Sequence, residues 1–567
     1  MPDTRTQSPQ SWVHQWEAAG THLAGSSAAY LNSCLSLSSG KVETGLDAKD
    51  LVSRIDCAFE SLFIELEQQI AQSRWTLARA RNKLAGTFYS IPEEILAEIF
   101  TLVVYDRSGC EIEFMEDDVR AFYQRLHSLI GVCTVWRKVG MSHGALWTLI
   151  PMISRKSGWQ MRPLSERSYE RAGSRQLHLV ASIEKNVALP YIENISGNFG
   201  RFRSINVVFE NKMLLSRAIR PLFKRKLASD TLSELSLYRF LELSEEVATE
   251  IPEEHEFLTN LNPSIPFSTS IDRTAQSLRV LRMKNVHIHW QLMTFPNLVE
   301  LRIESVMIGT KAHFRKLLSA LYTAPQLQKL ELISLGTEPD PEDTPASDSA
   351  LVPIPLPNLQ RLYLGDLYAD DAKAILLSIT PASYHLSLYL TVKMTTVMHS
   401  EEAIRVGLSG LMSILQGVKV DTLLLQGDEV WENWIGRDDF RGLLLNMPFI
   451  TTLKIDYWEF GQSEWTDLTP TDLSTAFAKL HHLQFSNLRL KTGTTEYLQR
   501  FLSSHPIQHL TWGGVIENLH PPHGIDWEPM KESDQIVDWL RSTIPNFRLL
   551  ENEYIPPEFR SHHWQLW

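Results

Sequence analysis

A chain of 567 residues, 43% of them apolar and 10% aromatic, has room for two or three domains with substantial cores and is too apolar to be disordered throughout. A formal charge of −13 argues against broad binding to phosphate backbones, because nucleic-acid affinity rests on Lys and Arg neutralising phosphates. No run approaches the roughly 18 uncharged apolar residues of a membrane-crossing helix, and the polar start Met1-Pro2-Asp3-Thr4-Arg5-Thr6 lacks the apolar core of a secretion signal. The four cysteines, Cys34, Cys57, Cys110 and Cys133, are far apart with no Cys-x-x-Cys, so neither a disulfide framework nor a zinc site is indicated. A reducing compartment, cytoplasmic or nuclear, is the expectation.

Residues 1–45 are rich in Ser, Ala, Gly and Thr without an apolar period, which predicts a disordered tail. Across 46–86 the pattern changes. Leu51, Ile55, Phe59, Leu62, Leu66 and Ile70 recur every three or four residues, predicting one long amphipathic helix. Its apolar stripe suits either a short coiled coil or a brace against the segment that follows.

The stretch 90–150 carries the most specific pattern. Ser90 and Glu93 have the spacing of a capping box, with Pro92 in the first turn, so a helix is predicted from Ile91. Ile91, Ile95, Ile99 and then Leu102 or Val103 form one apolar stripe opposite Glu94 and Glu98. A second stripe runs Leu126, Leu129, Cys133, Trp136, and Leu146-Trp147 follows a turn signal at 142–144. Three helices in about 60 residues bury only about 60% of their chain surface, so part of this apolar surface needs a partner. Taken in order, these sub-motifs resemble an F-box, most closely the F-box-like proteins of fungi. The resemblance implies that Ile91, Pro92, Ile95, Ile99, Val132, Cys133, Trp136, Leu146 and Trp147 pack onto a Skp-type adaptor and, through it, a cullin-RING ubiquitin ligase. Two departures stand out: Ile91 replaces the family's Leu, and the connection 104–125 is longer than the family's and carries Asp106, Glu111, Glu113, Glu116, Asp117 and Asp118.

Beyond residue 170 an apolar-x-x-Leu-x-apolar unit recurs, starting at Leu232, Leu278, Leu298, Leu327, Leu359, Val420, Ile450, Leu480 and Ile507. Phe202/Ile205/Val207 and Ser174/Leu177/Leu179 are earlier copies, and Ser383/Leu386/Leu388 is a degenerate one. Four copies are introduced by proline (Pro296, Pro325, Pro357, Pro448), which ends a helix and sends the chain into an extended strand. A short strand repeated at such spacing, with helical sequence between copies, is the signature of a leucine-rich-repeat solenoid: parallel sheet on the concave side, helices on the convex side. The asparagine expected three residues past the last strand leucine is replaced by mostly apolar residues, Val286, Val306, Leu335, Leu367, Asp428, Trp458, Leu488 and Val515.

If the leucines point inward, the alternate residues face outward on the concave side. This row is mixed in charge, and Arg282, Arg302, Arg361 and Tyr363 are the expected contacts for a protein cargo, Arg and Tyr being enriched at binding hot spots. Other features read as ordinary. The acidic, proline-rich stretch 336–356 is expected to be a disordered loop, Lys224-Arg225-Lys226 a solvated helix end, and the late tryptophans largely core. His481-His482, His287-x-His289 and His562-His563 lack metal-spaced partners and are expected at the surface. No catalytic constellation, phosphate-binding glycine loop or cofactor motif is present, so no cofactor and no enzymatic activity are expected.

The expected fold is therefore α/β: a helical F-box-like domain at 90–150, an irregular leucine-rich-repeat solenoid at 170–550 and a tail at 551–567. The implied function is substrate recognition for an SCF-type ubiquitin ligase. The alternative is an F-box-like structural interaction protein without ubiquitin transfer. Neither membrane nor nucleic-acid partners are expected.

Overall fold

The computed structural model describes residues 9–39, 48–85, 91–106, 115–153, 161–183, 200–209, 231–240, 257–258, 273–338, 353–380, 383–399, 402–427, 433–436, 439–470, 477–520, 524–551, 554 and 556–559. Ser90, Lys224 to Lys226, most of the acidic loop, Asp428, Trp431, Trp564, Trp567 and the His562-His563 pair lie outside them. The chain divides into two compact units, Met1–Pro92 and Glu93–Trp567.

The first unit is helical. The expected tail contains helix α1 (Pro9–Ser39), followed by α2 (Ala48–Cys57), a π-helical segment Ala58–Phe63 and α3 (Ile64–Ala85). Helix α1 forms despite its lack of apolar period because Pro9 occupies a tolerated first position and no later proline interrupts it. Its hydroxyls are satisfied within the helix: Thr21 donates to the Glu17 carbonyl (3.0 Å) and Ser33 to that of Ala29 (2.9 Å). The predicted long helix is broken by the π segment, where Phe59 stacks on Phe63 with ring centroids 5.6 Å apart.

The second unit opens with α4 (Glu93–Tyr105), α5 (Met115–Val132), α6 (Thr134–Ser142) and a 3₁₀ turn, Gly144–Trp147. Helix α4 thus starts two residues later than the capping pattern predicts. The described residues of the expected linker, 104–106 and 115–125, are mostly helix, Glu111 and Glu113 lying outside them, and Glu116 and Asp117 sit in the first turn of α5, where the helix dipole favours negative charge.

A sheet of 16 strands follows, and it begins earlier than residue 170. Its strands run in chain order: β1 (Leu149–Ile153), β2 (Leu177–Ile183), β3 (Phe202–Phe209), β4 (Glu234–Arg239), β5 (Val280–Lys284), β6 (Glu300–Thr310), β7 (Lys329–Glu338), β8 (Arg361–Gly365) and β9 (His385–Leu390). After a separate antiparallel pair, β10 (Thr396–His399) and β11 (Glu402–Arg405), the sheet resumes with β12 (Thr422–Gln426), β13 (Thr452–Asp456), the short β14 (Glu459–Phe460), β15 (His482–Leu490) and β16 (His509–His520). All of these sheet neighbours are parallel; at the far edge β18 (Asn546–Leu549) pairs in parallel with the first half of β16 and β17 (Gly524–Pro529) antiparallel with its second half. The other face carries α8 (Lys311–Tyr322), α9 (Ala369–Ser378), α10 (Gly407–Leu415), α11 (Asp439–Leu445), α12 (Gln462–Leu468), α13 (Thr495–Ser504) and α14 (Gln535–Thr543), preceded by α7 (Met161–Arg171) between β1 and β2.

The second and third residues of every repeat triplet lie on one of these strands, and the leucines align across the sheet: Leu235, Leu281, Leu301, Leu330, Leu362 and Leu386 are in register. Across the β9–β12 junction the register slides by two residues, so that Leu388 faces Leu423, which keeps the same side inward because strand side chains alternate. Pro296, Pro325, Pro357 and Pro448 each take the second position of a four-residue turn, closed by the N–H of Leu298, Leu327, Leu359 and Ile450. Asn297 and Asn358, next in those turns, donate to the carbonyls of Gln276 (2.8 Å) and Pro325 (2.9 Å) one repeat back.

Two residues past the third position of the repeat triplet, Asn285, Ser305, Ser334, Asp366, Tyr457 and Asn487 adopt left-handed conformations, with φ of 54°, 53°, 50°, 50°, 51° and 47°. This hinge turns the next side chain inward, which is why Val286, Val306, Leu335, Leu367, Trp458 and Leu488 are all buried. The expected apolar turn positions are thus the buried ones, and the polar residues of the hinge, one position earlier, are chemically varied. Asp366 accepts from Ser334 (2.7 Å) and Thr391 (2.6 Å), and Asp456 from Ser486 (2.6 Å), Asn487 (2.9 Å) and Gln426 (3.2 Å). Near the end of the solenoid Trp458, Trp465 and Trp512 are buried, with Phe460 stacked on Trp465 at 4.2 Å. His287 and His289 are buried rather than exposed, His289 stacked on Phe257 at 4.2 Å.

Candidate functional site

Two surfaces were expected to meet other molecules, and they are built differently. On the helical surface, α4 turns Leu96, Ala97, Phe100 and Val104 inward toward α5, whose Val119, Phe122, Tyr123 and Leu126 are also buried. The opposite stripe, Ile95, Ile99 and Leu102, follows i, i+4, i+7 spacing and is 52%, 39% and 73% exposed. Val132, at the end of α5, is 58% exposed beside a shallow groove of about 390 Å³ lined by Val103, Leu129 and Val132 among others. Scattered single apolar residues are normal on a surface, whereas contiguous ones mark interaction sites.

The remaining expected adaptor contacts divide. Trp136 is half-buried, its ring tilted against Phe100 at 5.0 Å between centroids. Cys133, also half-buried, is the N-cap of α6: its Sγ accepts the Trp136 N–H at 3.5 Å. Leu146 and Trp147 are 0% and 1% exposed and do not face a partner, which corrects the expectation for both. The Trp147 indole donates to the Gly140 carbonyl (2.7 Å), and the Arg171 guanidinium lies over its ring at 4.3 Å. Neighbouring hydroxyls reinforce this seam, with Tyr123 donating to the Leu149 carbonyl (2.7 Å) and Tyr105 to that of Ala145 (3.3 Å). Arg171 belongs to α7, 24 residues along the chain, which sequence spacing alone does not place over Trp147. Ile91, half-buried, and Pro92, exposed, close the preceding unit.

On the concave face the expected arginines are engaged by the chain itself. Arg282 pairs with Glu300 (2.7 Å), and Arg302 with Glu304 (2.7 Å) and Glu331 (3.2 Å). Lys329 joins Glu300 (3.7 Å) to Glu331 (2.9 Å), making one network across β5, β6 and β7. Lys284 and Glu304, 2.6 Å apart, are only 5% and 3% exposed. Burial pulls the Lys284 pKa down against the pull of Glu304. For Arg302 burial acts the same way, but Glu304 and Glu331 outweigh it and the pKa is raised. Of the four expected cargo contacts Arg361 alone is exposed, and Tyr363 donates its hydroxyl to the Glu558 carbonyl at 3.2 Å.

Among the described residues no group of His, Cys, Asp and Glu is arranged to hold a metal ion, and no helix is long and apolar enough to cross a membrane. No family model matches the chain, and no curated protein matches it. Among solved structures it is similar to the crystal structure of the Rad7 and Elc1 complex in yeast, at 12% identity and a TM-score of 0.34, over 84% of this chain and 97% of that one. A likeness of that size carries no argument about fold or partner.

Proposed function

We propose that this chain is a non-catalytic receptor that couples a protein cargo to a Skp-type adaptor, as the substrate-recognition subunit of a cullin-RING ubiquitin ligase. The supporting observation is the open stripe Ile95, Ile99, Leu102 on α4, next to the exposed Val132, on a helix whose other side is already packed. Such a helix presents anchors at the spacing by which partner proteins recognise an amphipathic helix. The solenoid is the cargo platform. Ubiquitin transfer itself belongs to other subunits, and this chain raises the effective concentration of a cargo lysine near the charged carrier.

Capture of a purified Skp-type adaptor tests the reading. Ile95→Asp with Leu102→Asp, both at exposed positions, should weaken capture by about 2 kcal/mol or more, roughly thirtyfold, while leaving the unfolding midpoint within surface-substitution range. Equal capture by the wild-type and doubly substituted chains would remove the proposal.

A further inference from the structure

The concave face has an occupant from its own chain. Past the last strand, the Tyr554 carbonyl accepts the Asn487 side-chain amide of β15 at 3.2 Å. The Glu558 carboxylate pairs with Lys454 of β13, and the Glu558 carbonyl takes the hydroxyl of Tyr363 on β8 at 3.2 Å, 195 residues away in sequence. Phe559, 6% exposed, stands edge-on to Tyr389 of β9 with centroids 5.6 Å apart and packs with Leu424 of β12. The segment is a tight turn, Pro556-Pro557-Glu558-Phe559, closed by the Phe559 N–H on the Pro556 carbonyl at 3.0 Å. Pro557 in its second position pre-sets that turn.

The receiving side is shaped for this pair of side chains. Tyr363, Tyr389 and Leu424 are outward positions on a sheet whose other outward residues here are largely polar, such as Lys454, Gln484 and Thr511. Without a cover they would stand in water. Gly365 on β8 makes the pocket fit: a Cβ there would meet Tyr363 at 2.9 Å and Tyr389 at 3.0 Å, so only glycine lets the two rings close together. Lys454 stands at the rim, where it selects a carboxylate one residue before the ring.

Resting on the reading of the concave face as the cargo platform, we infer that Tyr363, Tyr389 and Leu424, with Lys454 at their edge, form a peptide-recognition pocket for which Glu558–Phe559 is a resident mimic. The cargo presents a carboxylate followed directly by an aromatic ring on an exposed turn, and it binds by displacing the chain's own C-terminal turn. The competition is intramolecular. A turn closed in about nine molecules of ten lowers the apparent affinity of an untethered peptide about tenfold.

The probe is a fluorescent synthetic peptide spanning residues 551–560, read by polarisation against the full-length chain. The E558A/F559A chain, with its turn released, should bind the peptide about tenfold more tightly than the wild type. Adding Lys454→Glu should abolish that binding, as should Ala in place of Phe559 in the peptide. Absence of binding to a folded E558A/F559A chain, or retention of binding with Lys454→Glu, overturns the inference. If E558A/F559A does not fold, the exchanged pair K454E/E558K keeps one ion pair in the turn and carries the test: it should refuse the peptide at concentrations that saturate the wild type, and equal binding to both overturns the inference. No adaptor takes part in this assay. A chain carrying Ile95→Asp should therefore retain peptide binding, so failure here is distinct from failure of adaptor capture.

Discussion

The outer stripe of α4 and the outward row of β5, β6 and β7 are both regular arrays of side chains pointing away from a packed element, yet only the first is left open. Ile95, Ile99 and Leu102 are exposed, whereas Arg282, Lys284, Arg302 and Lys329 each find a carboxylate on their own or an adjacent strand. The difference lies in what each chemistry can do locally. Strands about 4.8 Å apart bring opposite charges within reach of each other, so a mixed-charge row on a parallel sheet satisfies itself. An aliphatic stripe has no such recourse short of being covered. A charged outward residue is therefore weak evidence of a partner, and an uncovered apolar stripe beside a packed one is stronger evidence.

The sharpest way to break this contrast is to compare a sealed and an open position in the same helical region. Trp147→Ala should cost about 3–5 kcal/mol of unfolding free energy, since it empties a buried site and strands the Gly140 carbonyl. Ile95→Ala should stay within about 0.5 kcal/mol, as exposed substitutions do. Denaturant titration of both reads the difference. Similar losses would mean that the α4 stripe is structural rather than a dock.

The charged row offers the next largest effect. Lys284→Met leaves Glu304 buried with one cation fewer and should destabilise by about 3 kcal/mol, the lower end for a broken buried pair because Arg302 still holds the carboxylate. Pairing it with Glu304→Leu should recover most of that loss. Arg361→Ala, at an exposed position, should change stability by no more than about 0.5 kcal/mol. Were Lys284→Met silent as well, the network would be no more than a solvated surface.

These cases also mark what the amino-acid pattern made legible. The strands were readable because a leucine pair on one face imposes a period of two, and even the degenerate Ser383/Leu386/Leu388 copy lies at β9. The α4 stripe was readable for the corresponding helical reason. The left-handed hinges were not: Asn, Ser, Asp and Tyr share a backbone geometry there but no chemistry, so no motif spells it. Leu146 and Trp147 resemble partner contacts in the sequence because what packs against their turn, α4 and α7 with its Arg171, is specified by tertiary packing rather than spacing. The same holds for Tyr363, whose partner Glu558 lies 195 residues along the chain. Helix α1 has no signature in the pattern because propensity without amphipathicity leaves no periodic trace.

A buried charge with a like neighbour approaches the same contrast from the opposite side, through its dependence on pH. Asp371, in the first turn of α9, is 3% exposed and accepts the Thr337 hydroxyl at 2.6 Å, with Asp370 beside it. Burial, then the charge of Asp370, pushes its pKa up to about 7, against the opposing pull of Thr337 and Lys311. An unfolded aspartate titrates near about 3.9. Between those values the folded state binds the proton and the unfolded state does not, so this group's contribution to stability falls as pH rises through the window and is flat above it. Asp371→Asn, which keeps an acceptor for Thr337, should therefore raise the unfolding temperature at pH 8 and leave it unchanged at pH 4. A difference between variant and wild type that stays constant from pH 4 to 8 would show that Asp371 carries no such penalty, and that buried charge in this solenoid is tolerated as readily beside a like charge as beside an opposite one.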